Sequence, residues 1–172
     1  MSPDQAINQD SGNVEFYTPE AIVAAARVAL GGGIDLDPAS CELANLTVKA
    51  ARIFTREADG LSRKWAGRVW MNHPFQRGKN HLWINKLVAS YEAREVIEAC
   101  CITYAVTSEK WFQPLIVRPQ CFLFPRTNYR KPDGTIQTGA TKGSVVTYFG
   151  TNIQRFATAF ASLGCVKAAG QG

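Results

Sequence analysis

Apolar and polar positions alternate along this chain with two different periods. Over 17–32, Ile22, Val23, Ala26 and Leu30 recur at helical spacing. Thr18 is placed to cap that helix, Pro19 to take its first position and Glu20 its first turn; Gly31-Gly32-Gly33 ends it. A short apolar run, Ile34 to Leu36, follows and breaks at Asp37-Pro38. Residues 41–52 read as a second helix, 52–55 as a short strand and 56–67 as a polar loop. Residues 68–71 form an apolar strand that stops at the tetrad Asn72-His73-Pro74-Phe75. Residues 79–99 read as a long amphipathic helix whose apolar face carries Leu82, Trp83, Leu87, Val88, Tyr91 and Val96. The continuous apolar run 99–107 fits a strand buried on both faces. A short helix capped by Ser108, a strand over 121–125, a polar basic loop over 126–143, a strand over 144–150 and a last helix over 152–164 complete the chain.

Strands and helices therefore alternate. The pattern predicts an α/β fold: an open, mostly parallel, doubly wound sheet with helices on both faces. The expected organisation is one domain over 16–167, a flexible arm over 1–15 and a flexible tail over 168–172. Sheets of this kind bind ligands at the carboxyl ends of their strands. Two polar clusters fall at such ends, Asp35-Leu36-Asp37-Pro38-Ala39-Ser40 and the tetrad 72–75. A third, Ala58-Asp59-Gly60-Leu61, precedes the central strand.

Composition changes this picture only modestly. The 172 residues carry a net charge of +5, and the pI is about 9.1, which favours a polyanionic partner. No apolar run approaches the roughly 20 residues of a membrane span, and the polar start does not resemble a secretion signal. Five cysteines without close paired spacing read as reduced thiols in a cytoplasmic protein. Cys100 and Cys101, being adjacent, belong on opposite faces of their strand. Two histidines and no paired cysteines give no expectation of a metal.

The tetrad has a chemical reading. An exocyclic amine on a nucleobase is a poor nucleophile because its lone pair is delocalised into the ring. A site that accepts hydrogen bonds from both amino protons favours a pyramidal nitrogen with its lone pair directed outward. Asn72 offers a side-chain carbonyl, and the His73 backbone carbonyl offers a second acceptor. Pro74 stiffens the turn, and Phe75 is available to stack on an extracted base. Such stacking is worth about 1–3 kcal/mol per base.

Six segments, in order, carry a resemblance: 16–23 (FYTPEAIV), 33–45 (GIDLDPASCELAN), 58–75 (ADGLSRKWAGRVWMNHPF), 111–115 (WFQPL), 143–150 (GSVVTYFG) and 155–164 (RFATAFASLG). From about Phe16 to Val166 the chain resembles the small phage-type DNA N6-adenine methyltransferases, which use S-adenosylmethionine. The resemblance implies a Rossmann-like class I methyltransferase sheet. It also implies that Tyr17, Thr18 and Pro19 cup the methionine end of the cofactor. Asp35 or Asp37 meets its amino-acid or ribose portion, Pro38, Ala39 and Ser40 shape the turn, and Asp59 approaches its adenine amine. Asn72, His73, Pro74 and Phe75 stand where the family has Asn-Pro-Pro-Tyr or Asn-Pro-Pro-Phe, so His73 is a departure. So is the absence of a glycine-rich Phe-x-Gly-x-Gly at the first strand. A purpose in protecting phage or mobile-element DNA from restriction in a bacterial host is also what the family implies.

Arg77 and Lys79 follow the tetrad, where phosphates flanking an extruded base would lie. The loop 126–142 adds Arg126, Arg130, Lys131 and Lys142 around Tyr129, a mixture suited to a single-stranded or flipped base. The chain has no room for a separate target-recognition domain, so low sequence specificity and strong salt sensitivity are expected. Two alternatives remain open. One is methyl transfer to another planar amine: cytosine N4, an RNA base or a protein glutamine. The other is a non-catalytic relative that binds DNA or cofactor, with His73 as its main support.

Overall fold

The computed structural model describes residues 16–168; the expected arm over 1–15 and most of the expected tail lie outside them. Helix α1 (Glu20–Ala29) leads into β1 (Leu36–Asp37), α2 (Glu42–Val48), β2 (Arg52–Ile53), a 3-10 turn at Gly60–Ser62 and β3 (Gly67–Met71). There follow α3 (Asn80–Glu92), β4 (Val96–Tyr104), a 3-10 turn at Lys110–Phe112 and α4 (Gln113–Ile116). The chain then runs through β5 (Gln120–Leu123), β6 (Ser144–Phe149), α5 (Ile153–Phe160) and β7 (Gly164–Lys167). The seven strands form one mixed sheet in the order β2-β1-β3-β4-β6-β5-β7. Pairings from β2 to β4 are parallel, and those from β4 through β6 and β5 to β7 are antiparallel. The sheet is thus mixed: β2, β1, β3 and β4 run parallel side by side, as expected, and β6 and β7 run against them.

Each face of the sheet has its own core. One buries the stripe Ile22, Val23, Ala26 and Leu30 of α1 with Trp70, Cys100, Tyr148, Phe156 and Phe160. The other buries Val69, Met71, Ile84, Leu87, Cys101, Phe112 and Phe149. Cys100 and Cys101 therefore separate to opposite faces, as their adjacency requires. All five cysteines are free thiols. Phe156 and Phe160 are fully buried, each worth roughly 1.5–3 kcal/mol relative to exposure. They dock α5 beside α1. A polar clamp reinforces that contact: Arg155 reaches both Glu98 oxygens and the Ala29 carbonyl, and the Tyr148 hydroxyl also donates to Glu98.

Several local expectations need correction. The α1 helix begins at Glu20, with the Pro19 carbonyl accepting from the Ile22 and Val23 amides. Thr18 is therefore not its cap, because its hydroxyl accepts from Asn72 instead. The helix expected over 79–99 stops at Glu92, and Arg94 turns in the left-handed region at φ 60. Val96 and Ile97, β-branched, pass to β4, and Leu82 is left partly exposed. Ser108 caps nothing; Glu109 precedes the 3-10 turn that leads into α4. The short strand β7 on the sheet edge was not anticipated, since its four residues show only one and a half alternations.

No helix among the described residues is long and apolar enough to cross a membrane.

Candidate functional site

Strand β1 is followed by β2 on one side, and the chain then returns to place β3 on the other. That reversal leaves a crevice beyond the carboxyl ends of β1 and β3, where doubly wound sheets bind ligands. A cleft of about 850 Å³ opens there, within the roughly 300–1,000 Å³ of small-molecule sites. Tyr17, Thr18, Asp37, Pro38, Ala39, Ser40, Asp59, Asn72, His73 and Pro74 all line it, so segments far apart in sequence converge.

The two aspartates of the first cluster part company. Asp37 ends β1 and is 2% exposed within the cleft wall. Burial pushes its carboxyl up to about 7, against the opposing pull of the Ala39 amide N–H at 3.1 Å. Asp35 lies before β1 begins and is not part of the cleft lining. It takes a bidentate pair from Arg68 at 2.9 and 3.0 Å, and that guanidinium holds its carboxyl below the usual range. Its ion pair is half-exposed and joins β3 to the segment before β1, so the cofactor-contact expectation falls to Asp37 alone.

The first and third clusters are tied together by contact. A Cβ on Gly60 would stand 1.9 Å from the Pro38 carbonyl oxygen, so only glycine permits the Asp-Pro-Ala-Ser turn and the Asp59 loop to meet. The Gly60 carbonyl in turn accepts from the buried Trp65 indole at 2.7 Å. Asp59 itself sits at φ 49, a left-handed conformation that Asp tolerates better than most residues.

Asn72 stands at the end of β3. Its Nδ2 lies 2.6 Å from the Phe16 carbonyl and 3.0 Å from the Thr18 hydroxyl. A backbone carbonyl can only accept, so the amide nitrogen must face Phe16 and the amide oxygen must face away. No donor among the described residues meets that oxygen. One amide thus ties the tetrad to the segment that opens the first helix.

His73 is 1% exposed and stacks on Trp83 with rings 8° from parallel, so its ring is part of the wall and does not stand free in the cleft. Its Nδ1 meets the Pro74 carbonyl at 2.9 Å, which makes Nδ1 the protonated nitrogen. Burial pushes its pKa down to about 4. Its Nε2 and the Trp70 Nε1 are buried on the cleft wall without a protein partner, one an acceptor and one a donor.

Phe75 departs from expectation. Its ring is half-buried against Tyr104 at 4.4 Å, with Phe16, Tyr129 and His73 around it, and it does not line the cleft. Tyr129 is no surface stacking ring either: it is 2% exposed, and its hydroxyl is bonded to Ser144 at 2.8 Å. Arg77, Lys79, Arg126, Arg130 and Lys142 are exposed, and Lys131 is half-buried. The loop 126–142 folds as a polar hairpin, and paired amides join its Arg130 to Tyr17 at 2.7 and 2.9 Å. Lys79 alone of the six lines the cleft, while Lys142 lies over the Tyr104 ring. Trp83, Gln76 and Phe54, which no motif pointed to, are among the further residues that line the cleft. Trp83 carried a signal, an aromatic one turn into the helix that follows the tetrad.

Compared with known proteins, the chain matches no family model and no curated sequence.

Proposed function

We propose that this protein is an S-adenosylmethionine-dependent methyltransferase acting on the exocyclic amine of a nucleobase, with adenine N6 in DNA as its target. The observation that carries this reading is the orientation of Asn72. Its amide nitrogen is engaged by Phe16 and Thr18, so its oxygen remains as an unpaired acceptor beside a cleft at the topological switch point.

The residues present fit the cofactor. The cleft has adequate volume, an acidic group in Asp37, an orphan donor in Trp70 Nε1 and an orphan acceptor in His73 Nε2. Asp37 and Asp59 would hold its polar groups, and Tyr17 and Thr18 would close over its reactive end; Pro19, expected beside them, precedes the first helix and does not line the cleft. When bound, the cofactor supplies a methyl group on a positively charged sulfur, which leaves with the bonding pair.

The chain's own residues do the rest. Asn72 Oδ1 accepts one amino proton of the target. The His73 carbonyl, which meets no backbone donor among the described residues, accepts the other. The nitrogen lone pair is then free to form the new N–C bond. The proton released afterwards passes to water, because an imidazole with a pKa near 4 is a poor base at neutral pH. His73 thus contributes a backbone acceptor and a wall.

The test is direct. Purified protein is incubated with S-adenosylmethionine and unmethylated DNA, the DNA is digested to nucleosides, and N6-methyladenosine is quantified by mass spectrometry. A signal lost in Asn72→Ala, with cofactor binding by calorimetry retained, supports the reading. Cofactor binding with no methylated base from DNA or RNA sinks it in favour of a binding protein.

A further inference from the structure

The base-stacking role expected of Phe75 meets a packing problem, because that ring already has four aromatic neighbours. Its neighbour Tyr104 is better placed. Tyr104 ends β4, and the parallel register Met71↔Cys101 sets it level with Pro74 on the carboxyl edge of the sheet. Phe75, at 4.4 Å between centroids, fills one face of the ring. The Lys142 ammonium also lies over the ring, 5.6 Å from its centroid. The Tyr104 hydroxyl makes no hydrogen bond to the described residues. Tyr104 lies outside the cleft lining, joined to the tetrad through Phe75.

We propose that Tyr104 is the platform on which the extruded base stacks, and that Lys142 covers it until nucleic acid arrives, then moves to a flanking phosphate. This rests on the nucleobase reading above. The exchange is favourable in kind. An exposed cation–π contact is weaker than base–aromatic stacking, and the released ammonium gains a phosphate partner. Of the basic residues on the hairpin, Lys142 is the one whose charge lies against an aromatic ring beside the tetrad.

The test uses a single-stranded oligonucleotide carrying 2-aminopurine, an adenine isomer whose fluorescence is quenched on stacking. It is titrated into the full chain with a non-reactive cofactor analogue present. Wild type and Tyr104→Phe are expected to bind and quench. Tyr104→Leu keeps packing on Phe75 but has no π face; it is expected to bind about tenfold or more weakly and to lose the quenching at saturation. Lys142→Ala is expected to keep the quenching and to lower the salt dependence by about one counterion. If Tyr104→Leu quenches as wild type does while Phe75→Leu does not, the platform is Phe75 and the proposal fails alone. If wild type binds the cofactor analogue but no oligonucleotide, the nucleobase reading fails and takes the platform with it.

Discussion

Replacing Asp37 with asparagine should stabilise the protein, by an amount that grows with pH. The carboxyl is buried and opposed by no cation, so its acid form is favoured in the folded state, with its pKa raised from 3.8 to about 7. A shift of that size separates the two forms by about 4 kcal/mol. Its sign follows from linkage. Below pH 3.8 the group is protonated folded and unfolded; as pH rises to 7, the unfolded chain gives up the proton first, and stability falls. His73 works in the opposite sense: burial lowers it from 6.5 to about 4, so its contribution of about 3 kcal/mol is present above pH 6.5 and lost as pH falls to 4. Between pH 4 and 6.5 the two slopes cancel in the wild type. Asp37→Asn removes one of them and leaves the slope of His73. Urea unfolding of both proteins at half-unit steps from pH 4.5 to 8 measures this. The titrations of the exposed carboxylates are common to both and drop out of the difference. The variant should exceed wild type by little at pH 4.5 and by about 4 kcal/mol at pH 8. A difference that stays flat with pH would show that the folded Asp37 carboxyl is solvated after all.

Three further outcomes follow from the geometry. Gly60→Ala drives a methyl group into the Pro38 carbonyl, so calorimetry should show cofactor binding weakened at least about tenfold, with a stability loss of about 1–3 kcal/mol. Thr18→Val removes one of two acceptors for the Asn72 amide and alters the wall of the cofactor cleft; kcat should fall about tenfold and KM for S-adenosylmethionine should rise, and an unchanged kcat would show that the Thr18 hydroxyl does not position Asn72. Glu98→Gln unpairs Arg155 and weakens the Tyr148 contact far from the cleft. It should cost about 1–3 kcal/mol in denaturant unfolding without altering cofactor affinity.

Local pattern made the α/β layers and the strand ends legible. Ile22, Val23, Ala26 and Leu30 all reached the core, and Asp37, Asp59 and Asn72 all reached one cleft. What the pattern left out depends on partners distant in sequence. Thr18 looks like a helix cap until Asn72 arrives from 54 residues away to take its hydroxyl. Asp35 and Asp37 are indistinguishable by alternation, and only Arg68 on the neighbouring strand separates them. Phe75 and Tyr129 read as available rings because their burial is set by Phe16 and Tyr104, which are distant from them in sequence. The insertion of β6 between β4 and β5 follows a long polar hairpin, whose composition carries no information about direction.

The pair of backbone hydrogen bonds between Tyr17 and Arg130 has one more consequence. The segment holding Asn72 and the hairpin bearing the cations are stitched into one small unit. Under the proposed function, a nucleic acid that engages the hairpin also acts on the Tyr17 segment of the cleft wall, and a cofactor that seats that segment also seats the hairpin. The two ligands should bind cooperatively, and thermodynamic reciprocity requires each to raise the affinity of the other by the same factor.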